Sequence, residues 1–252
     1  MIEMTAKMMP ADSPRRLAGD EIWAVAGAEY LRMLDLLRSL QGGDWLRSTD
    51  CTAWDVRAMV GHLVGSVEAL ANPIEMVHQF RVGAGLVKRR QADGDMLVDG
   101  ANTVQVRDRA EFSTTKLISR YERAIPRAMG WRRRFRWTPG SMRDVGGRFR
   151  LRELYEVIYT RDTWIHRVDI ARATGRAMVL TADHDGRIVA DAVTAWANKH
   201  GRPYDLRLSG PAGGRFVTRT AAAPVTIDAV EFLRALSGRG TRDEILGTRI
   251  VF

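Results

Sequence analysis

Residues 159–176 read YTRDTWIHRVDIARATGR. The run contains no proline, and Gly175 stands where a helix C-terminus often places glycine. Extended back to about Leu151, it makes a helix whose positions 155, 159, 162, 166, 169 and 173 share one face. That face reads Tyr155, Tyr159, Asp162, His166, Asp169 and Ala173, with Ile158 and Ile165 beside it. A helix that only fills a bundle would carry Leu or Val at 162, 166 and 169. Here the stripe begins apolar and turns polar, which is core at one end and a candidate site at the other.

Asp162 and His166 are four residues apart, about one helical turn, which is the reach of two ligands to one divalent ion. Carboxylate with imidazole suits Zn²⁺ or a similar first-row metal. A third ligand must come from another helix, and His62 is the leading candidate. It lies in TAWDVRAMVGHLVGSVEAL, residues 52–70, where Val56, Val60, Leu63, Val67 and Leu70 trace a buried face. Gly61 and Gly65 flank it at a cost in helix stability, so they call for a packing or access reason. Two histidines and one carboxylate leave a fourth position open, the pattern of catalytic zinc. Asp169, three residues beyond His166, is placed to orient that ring. The same residues also fit a plain Asp–His hydrogen bond and a satisfied core histidine, and spacing alone does not choose.

Other elements follow outward from these two. A helix from Asp20 carries Ile22, Val25, Ala26, Met33, Leu36, Leu37 and Leu40 on its apolar stripe, with Tyr30 on that side, and Gly42-Gly43 ends it. Ser48-Thr49-Asp50, with Thr52 as second choice, offers the cap of the His62 helix. Residues 81–109 read as a long connection with a short helix at Asn102 to Arg109. A third helix starts near Glu111 and runs through Leu117, Ile118, Tyr121 and Ile125, and Trp131 to Arg150 reads as a basic, turn-rich segment. Beyond Arg176 the pattern changes to a helix over Asp185 to His200, strands over Tyr204 to Ser209, Arg215 to Thr220 and Pro224 to Ile227, a helix from Asp228 to Leu236 capped by Asp228, and a last strand at 248–252. Pro211 to Gly214 is the turn of the first strand pair. The expected organisation is a mobile arm at 1–16, an α-helical four-helix bundle with the metal site at 17–178, and a small α/β domain at 179–252, α+β overall.

The 252 residues suffice for one large or two modest cores, and 45% hydrophobic with 27% charged content is that of a globular chain. No apolar run is long enough to span a bilayer, and the first residues lack the apolar core of a secretory signal, so a cytoplasmic protein without membrane insertion is expected. Cys51 stands alone, which excludes an intramolecular disulfide and a cysteine-based zinc knuckle. Any metal must therefore be held by His and carboxylate. The net charge of +9 permits acidic partners without choosing among them. WRRRFRW, Trp131 to Trp137, has the composition of a nucleic-acid patch, yet no helix-turn-helix, finger or ribonucleoprotein motif accompanies it. It reads as a basic turn whose tryptophans pack on the bundle, or as a lip that attracts an anionic substrate. Cys51, at the entrance to the His62 helix, reads as a buried, inert thiol, with a mixed disulfide to a small thiol as the alternative.

GHLVG, Gly61 to Gly65, after CTAWDVRAMV, together with residues 159–176, resembles the mycothiol-dependent maleylpyruvate isomerase family of the DinB-like helical-bundle metalloproteins. VDGANTVQVRDRA, from Val98, is similar to the family's middle segment, and LRLSGPAGGRF and FLRALSGRG, from Leu206 and Phe232, to its small C-terminal domain. The resemblance implies a four-helix bundle with a divalent metal, usually zinc, at one end. It puts the ligands at His62, Asp162 and His166. The family has Glu where this chain has Asp162, shorter by one methylene. It also implies mycothiol or a similar small thiol as cosubstrate, adding to an electrophilic small molecule for isomerisation or transfer, and an arginine for an anionic substrate, matched by Arg239. Nucleic acid is then not an expected partner, and the chain works as monomer or homodimer. The alternative is a basic regulatory or nucleic-acid-binding protein on the same scaffold without catalysis.

Overall fold

The computed structural model describes residues 15–218, 222–239 and 247–252. The arm expected at 1–16 therefore lies outside the described residues as far as residue 14. Contacts divide the chain into two units, one of residues 18–178 with Val251 and Phe252, the other of 15–17 with 179–250.

The first unit is built on α1 (Asp20–Ser39), α2 (Val56–Ala71), α5 (Thr114–Phe135) and α7 (Tyr159–Thr174). Their apolar stripes meet in one core that includes Met33, Leu37, Met59, Leu63, Leu117 and Ile170, all with at most 1% exposure. Each such side chain stabilises the bundle by roughly 1.5–3 kcal/mol. Two buried ionic groups also tie helices together. Arg167 of α7 donates to both oxygens of Glu29 of α1, at 2.7 and 2.9 Å. Arg132 of α5 donates to Tyr155 O (2.8 Å), Thr160 Oγ1 (2.9 Å) and Tyr30 Oη (3.2 Å). The acceptor at Tyr155 belongs to a π-helical turn, Leu154–Ile158, between the short α6 (Leu151–Glu153) and α7. A π turn shifts the carbonyls out of the regular ladder, and the buried guanidinium takes them up.

Several sequence expectations change here. The cap of α2 is Asp55, whose Oδ1 accepts from Ala58 N at 2.8 Å, and not Ser48 to Asp50 or Thr52. Thr49 is instead spent in the preceding turn, where its hydroxyl donates to Trp54 O at 2.8 Å. Residues 81–109 are not a long connection: α3 (Pro73–Lys88) and α4 (Leu97–Arg107) pack on each other, and α4 on α2. The glycines that look like loop are points of close approach. A Cβ on Gly83 would stand 2.5 Å from the Gly100 carbonyl carbon. Trp131 to Arg150 is likewise ordered. α5 runs through Pro126 to Phe135, and β1 (Ser141–Asp144) pairs antiparallel with β2 (Gly147–Arg150). Trp131 stacks on Phe135, whereas Trp137 is 64% exposed and has the guanidinium groups of Arg136 and Arg152 at 4.7 and 4.8 Å from its ring centroid. α7 ends as read, at Gly175 with φ 69°.

In the second unit α8 (Asp185–His200) keeps its expected bounds. A three-stranded sheet has the order β4 (Gly214–Val217), β3 (Asp205–Ser209), β5 (Pro224–Asp228), antiparallel in the first pair and parallel in the second. The expected extension of the second strand to Thr220 lies in part outside the described residues. Asp228 caps α9 (Ala229–Leu236) by accepting from Val230 N and Glu231 N. Trp196, Leu206 and Phe232 are completely buried in this unit's core. The strand expected at 248–252 does not form: Ile250 N reaches Leu236 O at 3.2 Å, and no ladder follows. Val251 packs with Phe149 and Ile158 of the first unit instead. Among the described residues no helix is long and apolar enough to cross a membrane.

Candidate metal centre

His62 projects from the middle of α2, and Asp162 and His166 from successive turns of α7. One ligand atom from each lies within 4.8 Å of the others. Asp162 Oδ1 stands 3.3 Å from His166 Nε2, and its Oδ2 3.5 Å from His62 Nε2. Two donors each about 2.0–2.1 Å from a tetrahedral ion would be about 3.3–3.4 Å apart. The shorter acid at 162 thus still reaches both imidazoles. His62 and His166 are both 4% exposed, and the Asp162 side chain keeps 20%.

The other ring nitrogens decide what faces the centre. His166 Nδ1 lies 3.1 Å from Oδ2 of the fully buried Asp169. His62 Nδ1 lies 2.7 Å from Gln105 Oε1, contributed by α4. With each Nδ1–H engaged by an acceptor, the Nε2 atoms face the Asp162 carboxylate and, in the neutral rings, carry the lone pairs. His62 Nε2 is buried and makes no hydrogen bond. Three acceptors this close to one another repel unless a cation stands among them, so the donor set fits a divalent metal. Burial pushes the Asp162 carboxyl up, but when the rings are protonated, attraction and hydrogen bonds from His166, then His62, outweigh it and hold it well below the usual carboxylate range, so a cation here would take the place of those protons. Asp162 is therefore anionic at neutral pH, the state a cation requires.

A cavity of about 120 Å³ opens on His62 and Asp162. Its apolar wall includes Phe149, Ile158 and Tyr159, while Gln79, Asp99 and Asp144 add polar groups. The π turn contributes Ile158, already read beside the stripe of the α7 face, whereas the β1–β2 hairpin contributes Asp144 and Phe149, which periodicity did not single out. Burial pushes the Tyr159 phenol up, so it lines the cavity as a neutral hydroxyl. Trp54 stacks on the His62 ring with centroids 4.9 Å apart. Of the residues expected in the site, His62, Asp162 and His166 come together in the first unit. Arg239 belongs to the second unit, just beyond α9, where its N–H donates to Arg234 O at 2.8 Å. Gln105, Gln79 and Trp54 were missed. Gln105 lies inside the quoted middle segment, but nothing in its spacing marks it as a partner of His62.

A helical bundle with this converging trio, joined in sequence to a small α/β unit, is a DinB-like fold. The family model for the mycothiol maleylpyruvate isomerase N-terminal domain matches residues 26–171, and the chain belongs to that family. Its structure is similar to the crystal structure of the mycothiol-dependent maleylpyruvate isomerase, with TM-score 0.53 and 16% identity over 88% of this chain and 89% of that one. A histidine-to-alanine mutant of that enzyme gives TM-score 0.52 at 15% identity over the same shares. At such identity the likeness speaks for the fold alone. No curated protein matches the sequence.

Proposed function

We propose that the chain is a metal-dependent enzyme that uses a small thiol of the mycothiol type to isomerise an electrophilic small molecule or to transfer the thiol to it. The observation that carries this is the buried, unpartnered His62 Nε2, aimed with His166 Nε2 at the Asp162 carboxylate on the floor of a cavity. Family membership and the likeness to a mycothiol-dependent isomerase support the choice of thiol.

His62, Asp162 and His166 would hold the ion, most simply Zn²⁺, and leave one position for a ligand from the cavity. When bound, the ion supplies the charge that keeps a coordinating thiol deprotonated at neutral pH. The chain's own part is positional. Asp169 and Gln105 orient the two rings, and Trp54 packs on one of them. Phe149, Ile158 and Tyr159 line the cavity and reduce the room for water, which favours attack by sulfur over hydrolysis. No side chain is required to act as covalent nucleophile. Arg239 is the proposed partner of an anionic substrate, on the strength of its motif position and the match of a guanidinium fork to a carboxylate.

The test is a thiol-dependence assay over a panel of electrophiles, with mycothiol and other small thiols as cosubstrates. Turnover is expected only with both thiol and metal, and Arg239→Ala is expected to raise KM for anionic electrophiles by roughly tenfold while leaving neutral ones unchanged. Equal turnover without thiol, or after complete removal of metal, would overturn the reading.

A further inference from the structure

The amide of Gln105 does not stand alone. Its Nε2 donates to Gln79 Oε1 at 2.8 Å, and Gln79 Nε2 donates to Gly65 O at 2.9 Å and to Glu75 Oε1 at 2.8 Å. Gln79 and Gln105 are 1% and 6% exposed, so water has little part in satisfying them. The direction of the whole chain follows from its far end. A backbone carbonyl only accepts, and so does an ionised carboxylate. Burial pushes the Glu75 carboxyl up, but the Gln79 hydrogen bond and Arg109 hold it below the ordinary value, so Glu75 is anionic. The Gln79 NH₂ must therefore face Gly65 and Glu75. Its carbonyl then faces Gln105, whose NH₂ must turn toward it. The Gln105 carbonyl is left facing His62, and it can only accept. Nδ1 of His62 must carry a proton, so in the neutral ring the lone pair sits on Nε2 and faces Asp162.

We propose that Gln105 and Gln79 are positioning residues that lock His62 in the Nδ1–H tautomer and ring orientation needed to bind a metal, with the Gly65 carbonyl and the Glu75 carboxylate as anchors of the relay. This goes beyond the proposed function while resting on its reading of His62 as a ligand. It also gives the glycine at position 65 a reason. A Cβ there would stand 2.5 Å from Gln105 Cβ, so only glycine lets α4 approach α2 closely enough for Gln105 to reach His62. The supporting group of one imidazole thus comes from a neutral chain across three helices, α2, α3 and α4.

The experiment reads two quantities in the full-length protein. The tautomer of His62 is read in metal-free protein from long-range ¹⁵N–¹H couplings, at a pH above the ordinary imidazole range. Zinc affinity is read by competition with a chromophoric chelator. Wild type is expected to show His62 as Nδ1–H. Gln105→Met is expected to show a mixture of tautomers and to lose about 10–100-fold in zinc affinity, the usual cost of removing such an orienting partner. Gln105→Glu keeps the acceptor for Nδ1–H but loses the donor to Gln79 Oε1, so it is expected to keep the tautomer and to recover only part of the affinity. A merely structural role would lower the thermal midpoint of Gln105→Met without changing the tautomer. An Nε2–H tautomer in wild type, or unchanged tautomer and affinity in Gln105→Met, overturns the relay. Wild type that shows the Nδ1–H tautomer but binds no zinc upholds the locked ring and overturns the metal reading instead.

Discussion

The two imidazoles of the centre are supported in opposite ways. His166 leans on Asp169, a carboxylate three residues along its own helix. His62 leans on Gln105, a neutral amide from another helix, which is held by a second amide from a third. The first support is ionic, local and built from one element. The second reaches the ring through neutral amides, ends on the Glu75 carboxylate, and works only if α2, α3 and α4 are packed in register. The difference teaches that half of the site is assembled by secondary structure and half by tertiary packing, so the two halves should fail differently.

Among variants of the supporting groups, the largest effect should come from Asp169→Leu, which removes the acceptor of His166 and introduces a bulkier group at a fully buried position. Zinc affinity should fall by about 100-fold or more, and stability by roughly 1–3 kcal/mol, read by chelator competition and chemical denaturation. Gly65→Ala comes next. Its methyl must push Gln105 away, so it should destabilise by roughly 1–3 kcal/mol and lower zinc affinity about tenfold, although the residue touches no ligand of the ion. If Gly65→Ala bound zinc as wild type does, the packing half of the comparison would be wrong.

A gentler pair exchanges the character of the two supports. Asp169→Asn keeps an acceptor but removes the charge, and should weaken zinc binding by about tenfold, whereas Gln105→Glu adds a charge beside His62 but loses the donor to Gln79, and should weaken it less than Gln105→Met does. Loss of similar size in both would mean that fit, not charge, sets the strength of each half.

The smallest effect concerns pH. Glu75 has a folded pKa below its unfolded value, which lies near 4.3. Its contribution to stability is therefore complete above about pH 4.3 and is lost as pH falls through the folded value. Glu75→Gln should remove that part of the acid sensitivity, a difference of a fraction of a kcal/mol between the two unfolding curves.

The same contrast explains what could be read from the sequence. Asp162, His166 and Asp169 were legible because one helix fixes their spacing, and Gly175 and Asp228 because helix ends carry recognisable caps. The bundle core was legible from its stripes at α1, α2, α5 and α7. The amide relay was not, because Gln79 and Gln105 are ordinary helix residues whose meaning lies in which helices touch. The helices that bring them were themselves obscured by Gly83 and Gly100, whose small size serves contact rather than a loop. The π turn was hidden for a related reason. Its carbonyl acceptors are taken by Arg132, more than twenty residues earlier in the chain, and no local pattern announces that partner.

The central claim is that His62, Asp162 and His166 form one open metal site. Elemental analysis of the purified protein, with zinc titration of chelator-treated samples of wild type and His166→Ala, tests it most directly. The account predicts about one tightly bound divalent ion per wild-type chain and its loss in His166→Ala. Wild-type protein that carries no metal and takes up none on titration, or a His166→Ala variant that binds it equally well, would contradict the claim.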